Sequence, residues 1–128
     1  KIFSMKFQPI LPIIWTNELD KTVDFYCNVL GFSYNDKVDN SQQWFHLFRD
    51  ECEIVVASPE GIETLGQPGF SGTFYITVDN IDELWYSIKD KAEVCSEIET
   101  FEWGMREFAI FDNNGYSFQF AQDMTQFL

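Results

Sequence analysis

The chain has few side chains suited to chemistry, and they lie far apart in sequence. His46 is the single histidine. It and Glu53 fall in two strand-like runs joined by a short turn, where a hairpin could set them side by side as acid and base. A lone histidine is more often packed or hydrogen-bonded than a metal ligand. The three cysteines, Cys27, Cys52 and Cys95, are odd in number and lack a C-x-x-C spacing. They form neither a disulfide framework nor a zinc knuckle, and reduced thiols in a cytoplasm fit them best. No nucleophile elbow or phosphate loop is present. Aromatic side chains are abundant instead: 14 Phe, 5 Tyr and 4 Trp. Trp15, Trp44, Tyr75, Trp103 and Phe108, with His46, Arg106 and Gln119, form a candidate ligand-binding set. Such a set holds a flat organic molecule by stacking and cation–π contact. Each has a plainer reading: the rings fill a core, and Arg106 pairs with a surface acid.

Charge narrows the classes of partner. A net charge of −13 argues against nucleic acid, whose phosphates require a basic surface, and equally against anionic lipid. It permits a cationic ligand, which a negative field attracts, although an acidic surface can also serve only solvation. No apolar run reaches membrane length and no signal peptide is visible, so a cytoplasmic location is expected. Residues Lys1 to Ser4 read as an addition ahead of a natural start at Met5. At 128 residues the chain is one domain, or two small halves sharing a core.

These residues need elements to position them. Phe7 to Trp15 reads as a buried strand, restricted locally by Pro9 and Pro12. Asn17 caps a helix to about Leu30, with Leu19, Val23, Tyr26, Cys27 and Leu30 on one face and Gly31 ending it. Strands are expected over Phe32 to Val38, Gln43 to Phe48 and Cys52 to Ala57, with Asp39-Asn40-Ser41 and Arg49-Asp50-Glu51 in the turns. The order then repeats. Thr73 to Val78 is a strand. Asn80 with Glu83 makes a capping box, and Ile81, Leu84, Trp85 and Ile88 form the stripe of a second helix. Val94 to Phe101 follows, then Met105 to Phe111 and Tyr116 to Ala121 around Asp112-Asn113-Asn114-Gly115, which reads as turn chemistry. Glu93, Glu97, Glu99 and Glu102 read as a solvated strand edge. Each half is strand–helix–strand–strand–strand, an internal duplication.

Leu19-Asp20-Lys21-Thr22-Val23-Asp24-Phe25-Tyr26 leading to Leu30-Gly31-Phe32, Val78-Asp79-Asn80-Ile81-Asp82-Glu83-Leu84, and Asp112-Asn113-Asn114-Gly115 together resemble the vicinal oxygen chelate superfamily. That superfamily includes glyoxalase I, extradiol dioxygenases and bleomycin-resistance proteins. Trp103-Gly104, Arg106-Glu107-Phe108-Ala109 and Pro12 look most like the bleomycin-resistance branch. The resemblance implies an α+β fold of two βαβββ modules whose mixed sheets curl into a cup, in a homodimer that exchanges its N-terminal strands. Residues 1–6 would be an extension, 7–58 the first module, 59–70 a linker, 71–123 the second module and 124–128 a tail.

Strand alternation sorts the faces. Phe74, Ile76, Val78, Phe118 and Phe120 are expected to pack on the helices. Thr73, Tyr75, Thr77, Ser117, Gln119 and Ala121 then face the cup. In the first module Leu11, Ile13, Trp15, Trp44, His46, Glu53 and Val55 do so. Hairpin parity adds Arg106, Phe108 and Ile110 to the cup face and turns Glu107 away from it. The metal-ligand positions implied by the superfamily are Leu11, Val55, Thr73 and Gln119. Leu and Val have no donor atom, and exchanging Val55 for Glu53 still leaves too few. The expectation is therefore no metal and no cofactor. The expected function is a bleomycin-resistance-like protein that sequesters a planar cationic or aromatic compound, with resistance as its role and itself as its protein partner. The alternative is a lyase, isomerase or dioxygenase-like enzyme using His46 and Glu53. A third reading is a homodimer whose cup is filled by its own side chains.

Overall fold

The computed structural model of the chain describes residues 6–35, 43–62 and 66–127. Among the described residues two sheets and two α-helices share one core. The first sheet holds β1 (Ile13–Trp15), β2 (Trp44–Arg49) and β3 (Cys52–Ala57) in the order β1-β3-β2, with β1 parallel to β3. The second holds β4 (Thr73–Thr77), β5 (Glu93–Thr100), β6 (Met105–Phe111) and β7 (Ser117–Asp123) in the order β4-β7-β6-β5, with β4 parallel to β7. Helices α1 (Leu19–Asn28) and α2 (Ile81–Ile88) each follow the first strand of a module. This is the mixed α+β architecture that the resemblance implies.

The helix ends follow from local chemistry. The Asn80 side chain accepts from the backbone N–H of Glu83 at 3.3 Å and donates to its carboxylate at 3.0 Å, the expected capping box. At α1 the cap residue is Glu18 rather than Asn17, and its own side chain does no capping. Thr16 Oγ1 instead accepts from the Glu18 N–H at 2.9 Å.

Two expected strands are shorter than their apolar patterns suggested. Residues 6–12 form no strand, and Phe7 and Ile10 are 95% and 91% exposed. Pro9 and Pro12 have no N–H for a ladder, so pairing begins at Ile13. The run from Phe32 contributes only a bridge from Ser33 to Phe48, and residues 36–42, with the expected turn at Asp39-Asn40-Ser41, lie outside the described residues.

The modules meet through α1 and the β6–β7 loop. Tyr26 from α1 is fully buried, edge-on to Phe118 of β7 at 5.8 Å, and its hydroxyl donates to Asp112 at 2.5 Å. Asp112 also accepts from the N–H groups of Asn114 and Tyr116 at 2.8 and 2.9 Å. Thr16 bonds Thr22 at 2.8 Å and donates to Asn114 at 3.0 Å. Asn113 and Asn114 both donate to Thr22 at 3.0 Å. What read as turn chemistry is thus also the joint between the modules. No described helix is long and apolar enough to cross a membrane.

Candidate functional site

Each sheet packs one face on a helix and turns the other away from the core. In the first sheet Ile14, Leu47, Ile54 and Val56 are buried. The opposite face carries Ile13, Trp15, Trp44, His46, Phe48, Glu53 and Val55, and pairing fixes the set: Ile13 and His46 both lie opposite Val55, Trp15 and Trp44 opposite Ala57, and Phe48 opposite Glu53. Ile13, Trp44 and Phe48 are 43–50% exposed, a half-open apolar and aromatic surface among the described residues. On it His46 Nε2 lies 2.8 Å from Glu53 Oε1 and the imidazole stands edge-on to Phe48. The two residues considered as an acid–base pair are therefore in contact.

In the second sheet the expected faces hold for β4 and β7. Phe74, Ile76, Phe118 and Phe120 belong to the core, while Thr73, Tyr75 and Thr77 are exposed. The face of β6 is reversed. Phe108 lies opposite Phe120 and Ile110 opposite Phe118, so Phe108 and Ile110 pack on the helix side; Phe108 contacts Trp85 at 5.0 Å and is buried. Arg106 points the same way, gripping Asp82 of α2 at 2.9 Å and donating to Thr100 at 2.8 Å. Neither residue lines the cup.

The reason is one residue of loop. In the β2–β3 hairpin Arg49 faces Cys52 across a two-residue loop. In the β6–β7 hairpin Phe111 faces Ser117, and Asp112 N–H bonds the Tyr116 carbonyl at 2.9 Å, leaving the three-residue loop Asn113-Asn114-Gly115. Gly115 supplies the φ of 95° that such a loop needs in its last position. One extra residue inverts the parity of every side chain on β6.

That inversion brings Glu107 onto the cup face, at the centre of a polar cluster. Glu107 is only 7% exposed. Its Oε2 accepts from the Tyr75 hydroxyl at 2.7 Å and its Oε1 from Gln119 Nε2 at 2.5 Å. Glu99 of β5 lies directly opposite Glu107 and is exposed. The sequence signal was present: a charge beside the apolar run Phe108 to Phe111 had to be at a strand end or on the open face. Trp103, in the β5–β6 turn, is 61% exposed with one face stacked on Phe101 at 4.6 Å. The candidate residues thus form two groups: Trp15, Trp44, His46 and Glu53 on the first sheet, and Tyr75, Glu107 and Gln119 on the second. His46 bonds Glu53 within the first group, and Tyr75 and Gln119 bond Glu107 within the second. A groove of about 860 Å³ lies on the helix side instead. Its floor of Leu30, Ile88 and Phe120 is already core, and its rim carries Arg49, Asp79 and Glu83.

The hydrogen bond to Glu107 pushes the Tyr75 phenol up to about 12, with burial and the Glu107 charge adding to it. Because the folded value exceeds the usual 10, the contact's stabilisation is complete below about pH 10 and is lost as pH rises through 12. An NMR titration of the Tyr75 ring carbon should therefore find its midpoint near 12, and E107Q should return it toward 10. A wild-type midpoint near 10 would overturn the contact.

At the metal positions that the resemblance implies, Leu11 and Val55 offer only hydrocarbon, Thr73 offers a hydroxyl and Gln119 turns its amide nitrogen to Glu107, too few donors to hold a divalent ion. Among the described residues, no three His, Cys, Asp or Glu side chains gather as a metal site.

The paired modules, each with its first strand parallel to its last, define a class of mixed α+β proteins by their fold. The sequence pattern of the Glyoxalase/Bleomycin resistance protein/Dioxygenase superfamily matches residues 6–120, and the chain belongs to that superfamily. No curated protein matches the chain. Among solved structures it is similar to TioX from Micromonospora sp. ML1, at 16% identity and a TM-score of 0.76 over 91% of this chain and 99% of that one. It is similar to a glyoxalase/bleomycin resistance protein/dioxygenase family enzyme from Burkholderia phytofirmans PsJN, at 17% identity and a TM-score of 0.72 over 87% and 94%. It is also similar to the bleomycin-binding protein of bleomycin-producing Streptomyces verticillus, solved with copper(II)-bleomycin, at 19% identity and a TM-score of 0.64 over 91% and 96%. At such identities the likeness is one of fold.

Proposed function

We propose that this chain is a metal-free small-molecule binding protein that sequesters a planar cationic or aromatic compound, with drug resistance as its role. The observation that carries this reading is the exposure of Trp44 and Tyr75, each 50%, on sheet faces turned away from the core. Half-exposed rings on open sheet faces suit stacking and cation–π contact, and the net charge of −13 favours capture of a cation. The bleomycin-binding neighbour gives a first compound to try. The complete cup is assigned to a homodimer, with the first sheet of one subunit facing the second sheet of its partner. Support comes from the uncovered apolar side chains at Phe7, Ile10, Ile13 and Phe48, which a second copy would cover.

The test is a fluorescence titration with bleomycin and with small aromatic cations. Saturable tryptophan quenching at about one ligand per subunit is expected, and W44A should remove most of it. Silence across the panel would overturn the reading.

The 2.8 Å contact between His46 and Glu53 favours a second reading, a metal-independent lyase or isomerase on the same scaffold. It requires that H46N and E53Q each abolish a turnover found by substrate screening, while leaving ligand affinity in place.

A further inference from the structure

We propose that Tyr75, Glu107 and Gln119 make the second sheet's open face an acceptor-rich floor selecting a planar organic cation that carries N–H groups, such as an amidinium or guanidinium. This rests on the reading that the open faces bind a ligand, and it specifies which cation they take.

The direction of the hydrogen bonds carries the inference. A carboxylate accepts only, so each group bonded to it must donate. The Tyr75 hydroxyl proton is committed to Glu107 Oε2, 2.7 Å away. Gln119 must turn its nitrogen to Glu107 Oε1, because two oxygens at 2.5 Å would repel. What these groups have left for a ligand is mainly lone pairs: those of the phenol oxygen and those of the Gln119 carbonyl. The phenol holds its proton to about pH 12, so this polarity persists through the physiological range. Glu107 itself is 93% covered by its surroundings, the complement of its 7% exposure, and acts as a positioning residue through the other two. The exposed Glu99 opposite it adds negative charge to the same face. An N–H-bearing cation satisfies both the lone pairs and the field. A quaternary ammonium satisfies only the field, and a carboxylate satisfies neither. The half-exposed Tyr75 ring offers a surface on which a flat cation stacks.

Calorimetric titration with benzamidinium, phenyltrimethylammonium and benzoate separates these demands on one aromatic frame. Benzamidinium should bind at least about tenfold tighter than phenyltrimethylammonium, since a charged hydrogen bond is worth about 1.5–3 kcal/mol, and benzoate should bind weakest. Y75F keeps the charge and the exposed ring but removes an acceptor, so the preference should shrink to about threefold or less. E107Q, whose amide donates as well as accepts, should lose most of the preference, with the near-ultraviolet spectrum showing that the fold is kept. Equal affinities, a preference for either control, or a benzamidinium preference untouched in both variants would overturn the acceptor floor and leave the wider binding reading standing. Silence with every probe, bleomycin included, would overturn both.

Discussion

Asp112→Ala should destabilise the folded chain by about 3–5 kcal/mol, a large part of the roughly 5–15 kcal/mol by which domains of this size are stable. The side chain is 5% exposed and serves three donors: the Tyr26 hydroxyl and the N–H groups of Asn114 and Tyr116. Alanine leaves all three without their acceptor at the joint between the modules, and each orphaned buried donor costs about 1–3 kcal/mol. Relief of burying the carboxylate offsets part of this. Burial holds the Asp112 carboxyl above its usual range, against the opposing effect of its hydrogen bonds. Asp112→Asn should therefore cost only about 1 kcal/mol, because the amide oxygen still accepts from the loop and the Tyr26 hydroxyl can turn to accept from the amide. The pH dependence has a definite sign. With its folded value raised, Asp112 takes up a proton on folding. Wild type should thus gain stability relative to D112N as pH falls from that raised value toward the ordinary 3.8. Urea unfolding of the three proteins across that window measures both effects. A D112A loss below about 1 kcal/mol would show that the joint does not depend on this carboxylate.

The same loop shows how far sequence alone reaches. Helix α2, the Asn80 capping box and the bounds of β6 follow from local patterns, because apolar period and side-chain capping act within a few residues. The duplication and the alternation of β4 and β7 were legible for the same reason. The β6 face was not. It depends on whether the β6–β7 connection has two or three residues, and Asp-Asn-Asn-Gly is compatible with either. A single residue there decided that Phe108 and Arg106 leave the cup and Glu107 enters it. Residues 7–12 depart from the expected strand for a different reason. An apolar run signals that a surface wants covering, and Phe7 and Ile10 find no cover within the described chain. His46 and Glu53 were placed on one face by alternation, but their 2.8 Å contact required the actual register of β2 on β3.

The assignment of the cup to two subunits leads to the largest expected functional effect, the recovery of binding from two defective proteins. Trp44→Ala removes an aromatic wall from the first sheet and Tyr75→Ala one from the second; both side chains are half exposed, so neither change opens the core. Each variant alone should bind at least about tenfold more weakly than wild type. Refolded together in equal amounts, they should form homodimers and heterodimers in the ratio 1:2:1 expected for random pairing. In a heterodimer whose cups join the first sheet of one subunit to the second sheet of the other, one cup carries both substitutions and the other carries neither. Half the dimers then hold one intact cup of two, and about a quarter of all cups should recover wild-type affinity. If each cup were built within one chain, every cup would carry a substitution and none would recover. Differently tagged subunits establish that heterodimers have formed, and the fraction of tight sites in a ligand titration decides the matter. Heterodimers without tight sites would assign the cup to the single chain. Failure to form dimers at all would remove the shared cup and leave the two sheet faces as separate, half-open surfaces.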